Sequence, residues 1–389
     1  MSWSSKLFTI RGIPVRVHVS FLLIVGWAAY IGLSAGEGGW RLSLGGAAFM
    51  VTFVLLLFAC VVLHELGHSL VAQLFGIRVQ DITLWPIGGV ARMAKMPEKP
   101  YQEFLITAAG PATNILLTIG LGALALVWIG PDQLLRLVTS SWLLSRFLSE
   151  MNGQALLLLL TANNAILALF NLIPAFPMDG GRLLRSLLAV FLPYPTATRA
   201  ASVVGQVLAT FIGTAALLAG NIMLALVGLF VFMAAWQERQ QAITQGALAG
   251  LRVRQAMQPV GPRLHPLQTL SEAAAQAATS PQPAYLVVDG GRLVGLLTRG
   301  ELINAMRRAG PRAAAGAGPA ARVGSHLHRD VLQLRADDLL LAARKQLQER
   351  SAVMGIVVEN GQVIGTLSQL DLARLVDMLR AHPQALPRG

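Results

Sequence analysis

The sequence is poor in cysteine. Cys60 is the single cysteine among 389 residues and lies inside an apolar run, so a disulfide framework and a thiolate metal site are both excluded. We expect it to be a buried, unreactive thiol. The N-terminal residues also lack the apolar core and small-residue cleavage pattern of a signal peptide, so we expect this segment to stay in the mature protein.

Charged residues are scarce too. They account for 13% of the chain, whereas hydrophobic residues account for 54% and the mean hydropathy is +0.58. This balance excludes an ordinary soluble protein and indicates a membrane protein. We expect a multi-pass protein of the plasma membrane.

Acidic residues are the scarcer kind of charge. Lys and Arg number 31 against 19 Asp and Glu, which gives a net charge of +12. The basic residues occur in short clusters, without the interleaved aromatic residues that stack on nucleobases. This pattern favours a lipid bilayer with anionic headgroups as a partner and argues against direct binding of nucleic acid.

Long apolar runs predict a polytopic α-helical membrane domain. About six runs approach the roughly 20 residues that a transmembrane helix needs. Lys and Arg are concentrated in loops 76–103 and 180–200, so the positive-inside rule puts these loops and both termini in the cytoplasm. The predicted spans lie near residues 18–35, 45–72, 104–129, 155–173, 201–219 and 222–236.

Two stretches beside the spans are typical of β-strands. Residues 11–20, RGIPVRVHVS, alternate polar and apolar side chains, which fits a strand at the membrane surface with His18 as a packing residue. Residues 81–90 also look extended, because Trp85-Pro86 and Gly88-Gly89 interrupt a helix. We expect this second stretch to border a groove.

The second predicted span contains the pentapeptide HELGH. His64 and His68 are four residues apart, so on a helix both can bind one metal ion, with Glu65 beside it. This is the arrangement of a zinc hydrolase, in which zinc acidifies a water molecule and the carboxylate moves its proton. A charged residue at the centre of a span costs about 2.5–3.5 kcal/mol, so a chance occurrence is the weaker interpretation.

A catalytic zinc usually has three protein ligands, and HELGH supplies two. Asp179 is the candidate for the third, in the segment FNLIPAFPMDGGRLLR at 170–185. Prolines before it and glycines after it would aim the carboxylate inward from a non-helical segment. The alternative is an ordinary N-cap for a helix that starts at Arg182.

Three motifs together resemble the site-2 protease family of intramembrane zinc metalloproteases. They are HELGH at 64–68, GPATN at 110–114 and NLIPAFPMDGG at 171–181, in the family's order. The resemblance implies hydrolysis of a peptide bond in or near a transmembrane segment. The implied substrate is a membrane-tethered regulatory protein, such as an anti-sigma factor or a precursor transcription factor, which must unwind locally to be cleaved.

The resemblance also assigns roles to residues. It implies that His64, His68 and Asp179 hold one Zn²⁺ per chain and that Glu65 is the catalytic acid and base. It implies a catalytic role for Asn171 in holding the substrate or polarising the scissile carbonyl. The GPATN motif is better explained by close helix packing than by catalysis, since small residues let membrane helices approach. Two further amides of the fourth span, Asn163 and Asn164, are candidates for lining the cleft.

The last third of the chain contains an internal repeat. Residues 283–306 and 352–376 each read as strand, turn, strand and helix, and the period of the repeat is the separation of Thr298 from Ser368. The repeat resembles a tandem pair of cystathionine-β-synthase (CBS) domains, which implies regulatory binding of ATP, ADP or AMP and a homodimer interface. The resemblance assigns the ribose to Ser368 and Asp371 and, in the first copy, to Thr298. No Gly-rich phosphate loop is present, so a nucleotide would be sensed and not hydrolysed.

The predicted organisation is a transmembrane zinc metalloprotease domain followed by a cytoplasmic α/β CBS pair. We assign residues 1–245 to the protease domain and residues 250–310 and 321–382 to the two repeats, with a flexible connector at 311–321. One alternative is a transporter or channel regulated by the CBS pair, with HELGH as an ion site, although a carrier has no need of Glu65. Another is a membrane-anchored protease that cleaves soluble peptides.

Overall fold

The computed structural model describes residues 3–34, 43–86, 88–94, 99–280, 282–314 and 322–381, without the side chains of 309–314 and 380. The chain separates into two compact units, Met1–Ala242 and Ile243–Gly389. The predicted connector at 311–321 is only partly described. Its first four residues form the end of a helix, and the others lie outside the described ranges.

The first unit is mainly helical because its long apolar runs satisfy their backbone hydrogen bonds internally, as a bilayer requires. Five of its described helices are long and apolar enough to cross a membrane. The predicted first span is a 13-residue helix of about 20 Å, against roughly 30 Å for a hydrocarbon core. The helices are α1 (Phe21–Leu33), α2 (Leu44–Leu74), α3 (Pro100–Trp128), α4 (Pro131–Thr139), α5 (Ser141–Ser149), α6 (Gly153–Asn171), α7 (Asp179–Leu188), α8 (Tyr194–Leu218) and α9 (Ile222–Leu248).

A four-stranded sheet flanks these helices. Its strands, in spatial order, are β1 (Ser4–Ile10), β2 (Ile13–His18), β3 (Val79–Trp85) and β4 (Gly88–Met93). The strands β2 and β3 are parallel, and the outer pairs are antiparallel. Strands at Ile13–His18, Val79–Trp85 and Gly88–Met93 confirm the extended character predicted for the described residues of 11–20 and 81–90. The ring of His18 stacks on that of Trp85 with 4.0 Å between the centroids, which confirms its packing role.

Small residues bring α2 and α3 together. A Cβ at Gly67 of α2 would lie 2.7 Å from the carbonyl oxygen of Ala109 on α3, so only glycine permits this approach. The HELGH segment therefore packs directly against the GPATN segment.

The second unit contains two copies of one α/β arrangement, each preceded by a short 3₁₀ turn at Val253–Gln255 or Val323–Ser325. The predicted strand-turn-strand-helix order is confirmed, and the strand bounds of the first copy recur in the second at a constant offset. Leu286 of the first copy and Ile356 of the second belong to one apolar core. The elements are α10 (Leu270–Thr279), β5 (Ala284–Asp289), β6 (Arg292–Thr298), α11 (Arg299–Ala314), β7 (Gln333–Arg335), α12 (Leu340–Glu349), β8 (Met354–Glu359), β9 (Gln362–Ser368) and α13 (Gln369–Ala381).

Candidate active site

Three predicted ligands meet at one point in the first unit. The Nε2 atoms of His64 and His68, one turn apart on α2, are 3.2 Å from each other. Oδ2 of Asp179 lies 3.2 Å from each of them. Both histidines are buried, at 7% exposure. In the described part of the chain, these three residues form the group whose ligand atoms lie close enough together to hold one metal ion.

The chemistry of the donors fits a zinc ion. Nδ1 of His68 donates to the carbonyl oxygen of Ile106 at 2.8 Å, so the neutral ring presents a lone pair at Nε2. That lone pair faces a carboxylate oxygen and a second imidazole nitrogen, an arrangement that a cation between them stabilises. Tetrahedral zinc with bonds of roughly 2.0–2.1 Å holds its ligand atoms about 3.3 Å apart, close to the separations observed. Two imidazoles and one carboxylate would leave such an ion its fourth position for a water molecule.

Gly110 of the GPATN motif makes room for the two imidazoles. A Cβ at this position would overlap the ring of His68 and lie 2.8 Å from Cε1 of His64. The motif thus packs against the candidate ligands themselves. Asn114, one turn further along α3, is buried, and its Oδ1 atom has no hydrogen-bond partner in the described structure.

Asp179 reaches the histidines from the start of α7. The N-cap of this helix is Met178, and Asp179 is the first helical residue. Both expectations from the sequence were therefore wrong in detail, since Asp179 is neither the N-cap nor part of a non-helical segment. The helix begins three residues before Arg182. Gly180 and Gly181 fit tightly against the backbone of the preceding turn, where a Cβ at Gly181 would lie 2.7 Å from the carbonyl carbon of Ala175.

Glu65 lies between the metal candidates and the sheet. Its Oε2 atom accepts a hydrogen bond from the backbone N–H of Ala91 on β4, at 3.0 Å. A Cβ at Gly89 would be 2.7 Å from Cγ of Glu65, so glycine lets β4 approach the acid. Sequence reasoning missed this contact, and the Gly88-Gly89 pair was its only local signal.

A cavity of about 810 Å³ opens over these groups. Asn171, the last residue of α6, lines this cavity with the three candidate ligands and Glu65. Asn163 and Asn164 instead donate to carbonyl oxygens of their own helix, and they are not among the lining residues. The walls also include Trp85, Val90, Phe170, Met178, Arg182 and Phe230.

A buried carboxylate ties the sheet together next to the cavity. Nε of Arg92 donates to Oδ1 of Asp81 at 2.8 Å, and Nη2 of Arg92 contacts the other oxygen. Arg16 of β2 lies 3.6 Å from the same group. The hydrogen bonds from Arg92 lower the pKa of Asp81 below its usual value of 3.8 against the opposing effect of burial. This network joins β2, β3 and β4, and β4 carries the partner of Glu65.

The two predicted ribose sites of the second unit differ. Oδ2 of Asp371 accepts from the backbone N–H and hydroxyl of Ser368, and Oε2 of Glu301 does the same for Thr298. The other oxygen of Glu301 contacts Nε2 of His328.

Asp371 instead lines a cavity of about 300 Å³, together with Gln258, Thr366 and Arg374. Gln258 pairs with Thr366, and His328 pairs with Leu296. The offset of the repeat relates Leu296 to Thr366 and Gln258 to His328, so Gln258 is the counterpart of His328.

Comparison with known proteins finds relatives of both units. Residues 52–215 match the profile of peptidase family M50, and residues 253–308 and 323–377 match CBS domains. A zinc metalloprotease from Methanocaldococcus jannaschii is 32% identical over 97% of this chain and 98% of its own length. A Mycobacterium tuberculosis protein named as zinc metalloprotease Rip3 is 32% identical over 96% of this chain and 93% of its own. The solved site-2 protease from M. jannaschii is 37% identical, with a TM-score of 0.42, over 61% of this chain and 95% of that one.

The fold and the donor cluster define a membrane metallopeptidase. The chain belongs to peptidase family M50, the site-2 proteases, and carries a tandem CBS pair at its C-terminal end. The predicted class of zinc metalloprotease is confirmed, and the alternative of a transporter or channel falls with it.

Proposed function

We propose that this protein hydrolyses a peptide bond in or near a transmembrane segment of a membrane-tethered regulatory protein. The observation that carries the proposal is the cluster of His64, His68 and Asp179 with Glu65, on and against an apolar helix of 31 residues. His64 lies about 30 Å along α2 from Leu44, at 1.5 Å per residue. A reacting bond at that level lies near one edge of a hydrocarbon core of roughly 30 Å.

His64, His68 and Asp179 would hold the zinc ion, which supplies a Lewis acid and acidifies water when it is bound. Glu65 takes the proton of the attacking water and returns it to the leaving amine. The backbone N–H of Ala91 orients the Glu65 carboxylate through one oxygen, which leaves the other for proton transfer. Asn171 lines the same cavity, and its amide would hold the substrate or polarise the scissile carbonyl.

An unwound substrate needs partners for its backbone groups, because a bilayer offers none. The strand β4 lies at the end of the sheet order and contributes Gly88, Gly89 and Val90 to the cavity wall. A substrate segment that added to this edge as a further strand would satisfy its backbone hydrogen bonds beside Glu65. Cleavage of membrane-tethered substrates, in preference to soluble peptides, follows from this arrangement.

The direct test is cleavage by the purified chain in liposomes. A transmembrane substrate with a helix-breaking segment should be cut, and the same peptide without its apolar flanks should be cut far more slowly. A Glu65→Gln variant should bind the substrate without cutting it, so crosslinked partners captured on it identify the natural substrate. Equal rates on the soluble peptide would favour the membrane-anchored peptidase instead.

We also propose that the CBS pair binds an adenine nucleotide, ATP, ADP or AMP, at Ser368 and Asp371 and thereby adjusts proteolysis. The open cavity beside Asp371 supports this site, whereas the contact of Glu301 with His328 disfavours the Thr298 site. A nucleotide changes activity only if its affinity differs between two conformations of the pair. We further propose that the protein lies in the plasma membrane with both termini in the cytoplasm. Two chains would associate as a homodimer through their CBS pairs.

A further inference from the structure

A buried charged cluster lies beside the candidate metal site. Arg185 of α7 is 2% exposed, and Glu103 of α3 is 4% exposed. Nε of Arg185 donates to Oε1 of Glu103 at 2.9 Å, and Nη2 of Arg185 contacts the same oxygen. Nη1 donates to Oε1 of Glu238 on α9 at 2.7 Å. One guanidinium thus joins three helices.

The same guanidinium contacts the chain segment that leads to Asp179. Its Cζ atom lies 5.2 Å from the ring centroid of Phe176, three residues before Asp179, and 5.0 Å from that of Tyr194 on α8. Phe176 is buried and Asp179 begins α7. Arg185 is itself part of α7, so it stabilises both this helix and the segment that precedes it. Asp179 is the one candidate ligand that does not come from α2.

The partner of Arg185 lies on the face of α3 that supports the histidines. Glu103, Ile106 and Gly110 follow one another at intervals of three and four residues, so they share one face of the helix. The carbonyl of Ile106 accepts from His68, and Gly110 lies against both imidazoles. The contact between Arg185 and Glu103 therefore connects the helix of the third ligand to the helix that orients the other two.

We propose that Arg185 is a positioning residue for the metal centre, which fixes Asp179 relative to His64 and His68 by holding α7 against Glu103 of α3 and Glu238 of α9. The proposal rests on the proposed ligand set. A lysine in its place keeps the positive charge but has a single nitrogen, which cannot hold two carboxylates in opposite directions as the guanidinium fork does. Loss of this geometry should displace Asp179 while leaving all three zinc ligands in the chain.

The test measures metal binding by the full chain in detergent. We would compare Arg185→Lys, Glu103→Gln and Glu238→Gln, with Arg199→Lys, an exposed arginine of α8, as the matched control. Zinc affinity would be measured by competition with a chelator, ligand geometry by the absorption spectrum of the cobalt-substituted protein, and folding by thermal unfolding. Both kcat and KM would be determined on the transmembrane substrate with a helix-breaking segment.

Arg185→Lys and Glu103→Gln should weaken zinc binding about tenfold or more, alter the cobalt spectrum and lower kcat more than they change KM. Glu238→Gln should have a smaller effect of about threefold, because Glu238 is partly exposed, and Arg199→Lys should have none. If every variant that stays folded, Glu238→Gln included, keeps wild-type zinc affinity and spectrum, the inference is wrong. Asp179→Ala separates the two proposals, because zinc retained by that variant would overturn the ligand set itself.

Discussion

Gly110 of α3 lies directly against the imidazole of His68, so closely that even a Cβ at position 110 would overlap the ring. We therefore expect Gly110→Ala to displace the imidazoles and to reduce zinc content and proteolysis at least tenfold. Gly120→Ala is the matched control, because no atom would contact a Cβ there and alanine favours a helix by up to about 1 kcal/mol. Metal analysis of both purified variants decides the point, and an active, zinc-loaded Gly110→Ala protein would contradict it.

The roles of Glu65 and the three ligands should separate experimentally. Glu65→Gln removes the proton acceptor but none of the three zinc ligands, so we expect cleavage to fall by about 10²-fold or more while zinc remains bound. His64→Ala and Asp179→Ala should lose zinc as well as activity. Elemental analysis beside cleavage assays provides the measurement. A zinc-free Glu65→Gln protein would disprove this division of roles.

Membrane orientation can be read with thiol labels. Cys60 is buried, and replacing it with alanine gives a background without other cysteines. In intact cells, we expect cysteines at Ala94 and Gln245 to be protected from an impermeant reagent and one at Arg136 to react. All three positions are exposed in the structure. A label at position 136 that reacts only after the cells are opened would reverse the orientation.

The two CBS repeats should bind unequally. A buried group left without its partner costs about 1–3 kcal/mol, so Asp371→Ala should weaken ATP, ADP or AMP binding by roughly tenfold or more. We expect one nucleotide per chain by calorimetry. His328→Gln, which places the counterpart of Gln258 beside the Thr298 site, should release Glu301 and raise the number toward two. Absence of binding at millimolar nucleotide would leave the repeat as a structural or dimerisation module.

Asp81 should stabilise the protein in a pH-dependent manner. Its folded pKa is lowered by Arg92, so its contribution is present above the unfolded value of 3.8 and is lost as the pH falls through the lower folded value. Asp81→Asn should cost about 1 kcal/mol at pH 7, because Arg92 is largely exposed. Thermal unfolding should show that this difference shrinks below pH 3.8, while exposed Asp132→Asn changes little at either pH. A difference independent of pH would argue against the ion pair.

The sequence predicted local features better than distant contacts. The bounds of α2, α3 and α6 were predicted within a few residues, because an apolar run of membrane length leaves the backbone few alternatives. The strand β1 was missed, since Ser4–Ile10 is mostly exposed and shows no alternation. Helix α9 continues to Leu248, well past its predicted end at 236, because polar side chains end an apolar run without ending a helix.

The site follows the same division. HELGH and Asp179 could be found because their chemistry is unusual in an apolar setting, and the structure brings them together. The partners that hold them could not be found by spacing. The amide of Ala91 is a backbone group, and Glu103 and Arg185 are 82 residues apart in the sequence. Such contacts depend on how the helices pack, which no short pattern encodes.

The constant offset between the two repeats, which takes Thr298 to Ser368, has a consequence for their self-association. Strands β5 and β6 recur as β8 and β9 without a gained or lost residue, as expected for a tandem duplication that has kept its strand core intact. Leu286 and Ile356 now share one apolar core, so a single copy would have exposed that surface to water. A half-length module on its own would need a second molecule of itself to cover that surface, and joining the two copies in one chain makes their pairing independent of protein concentration.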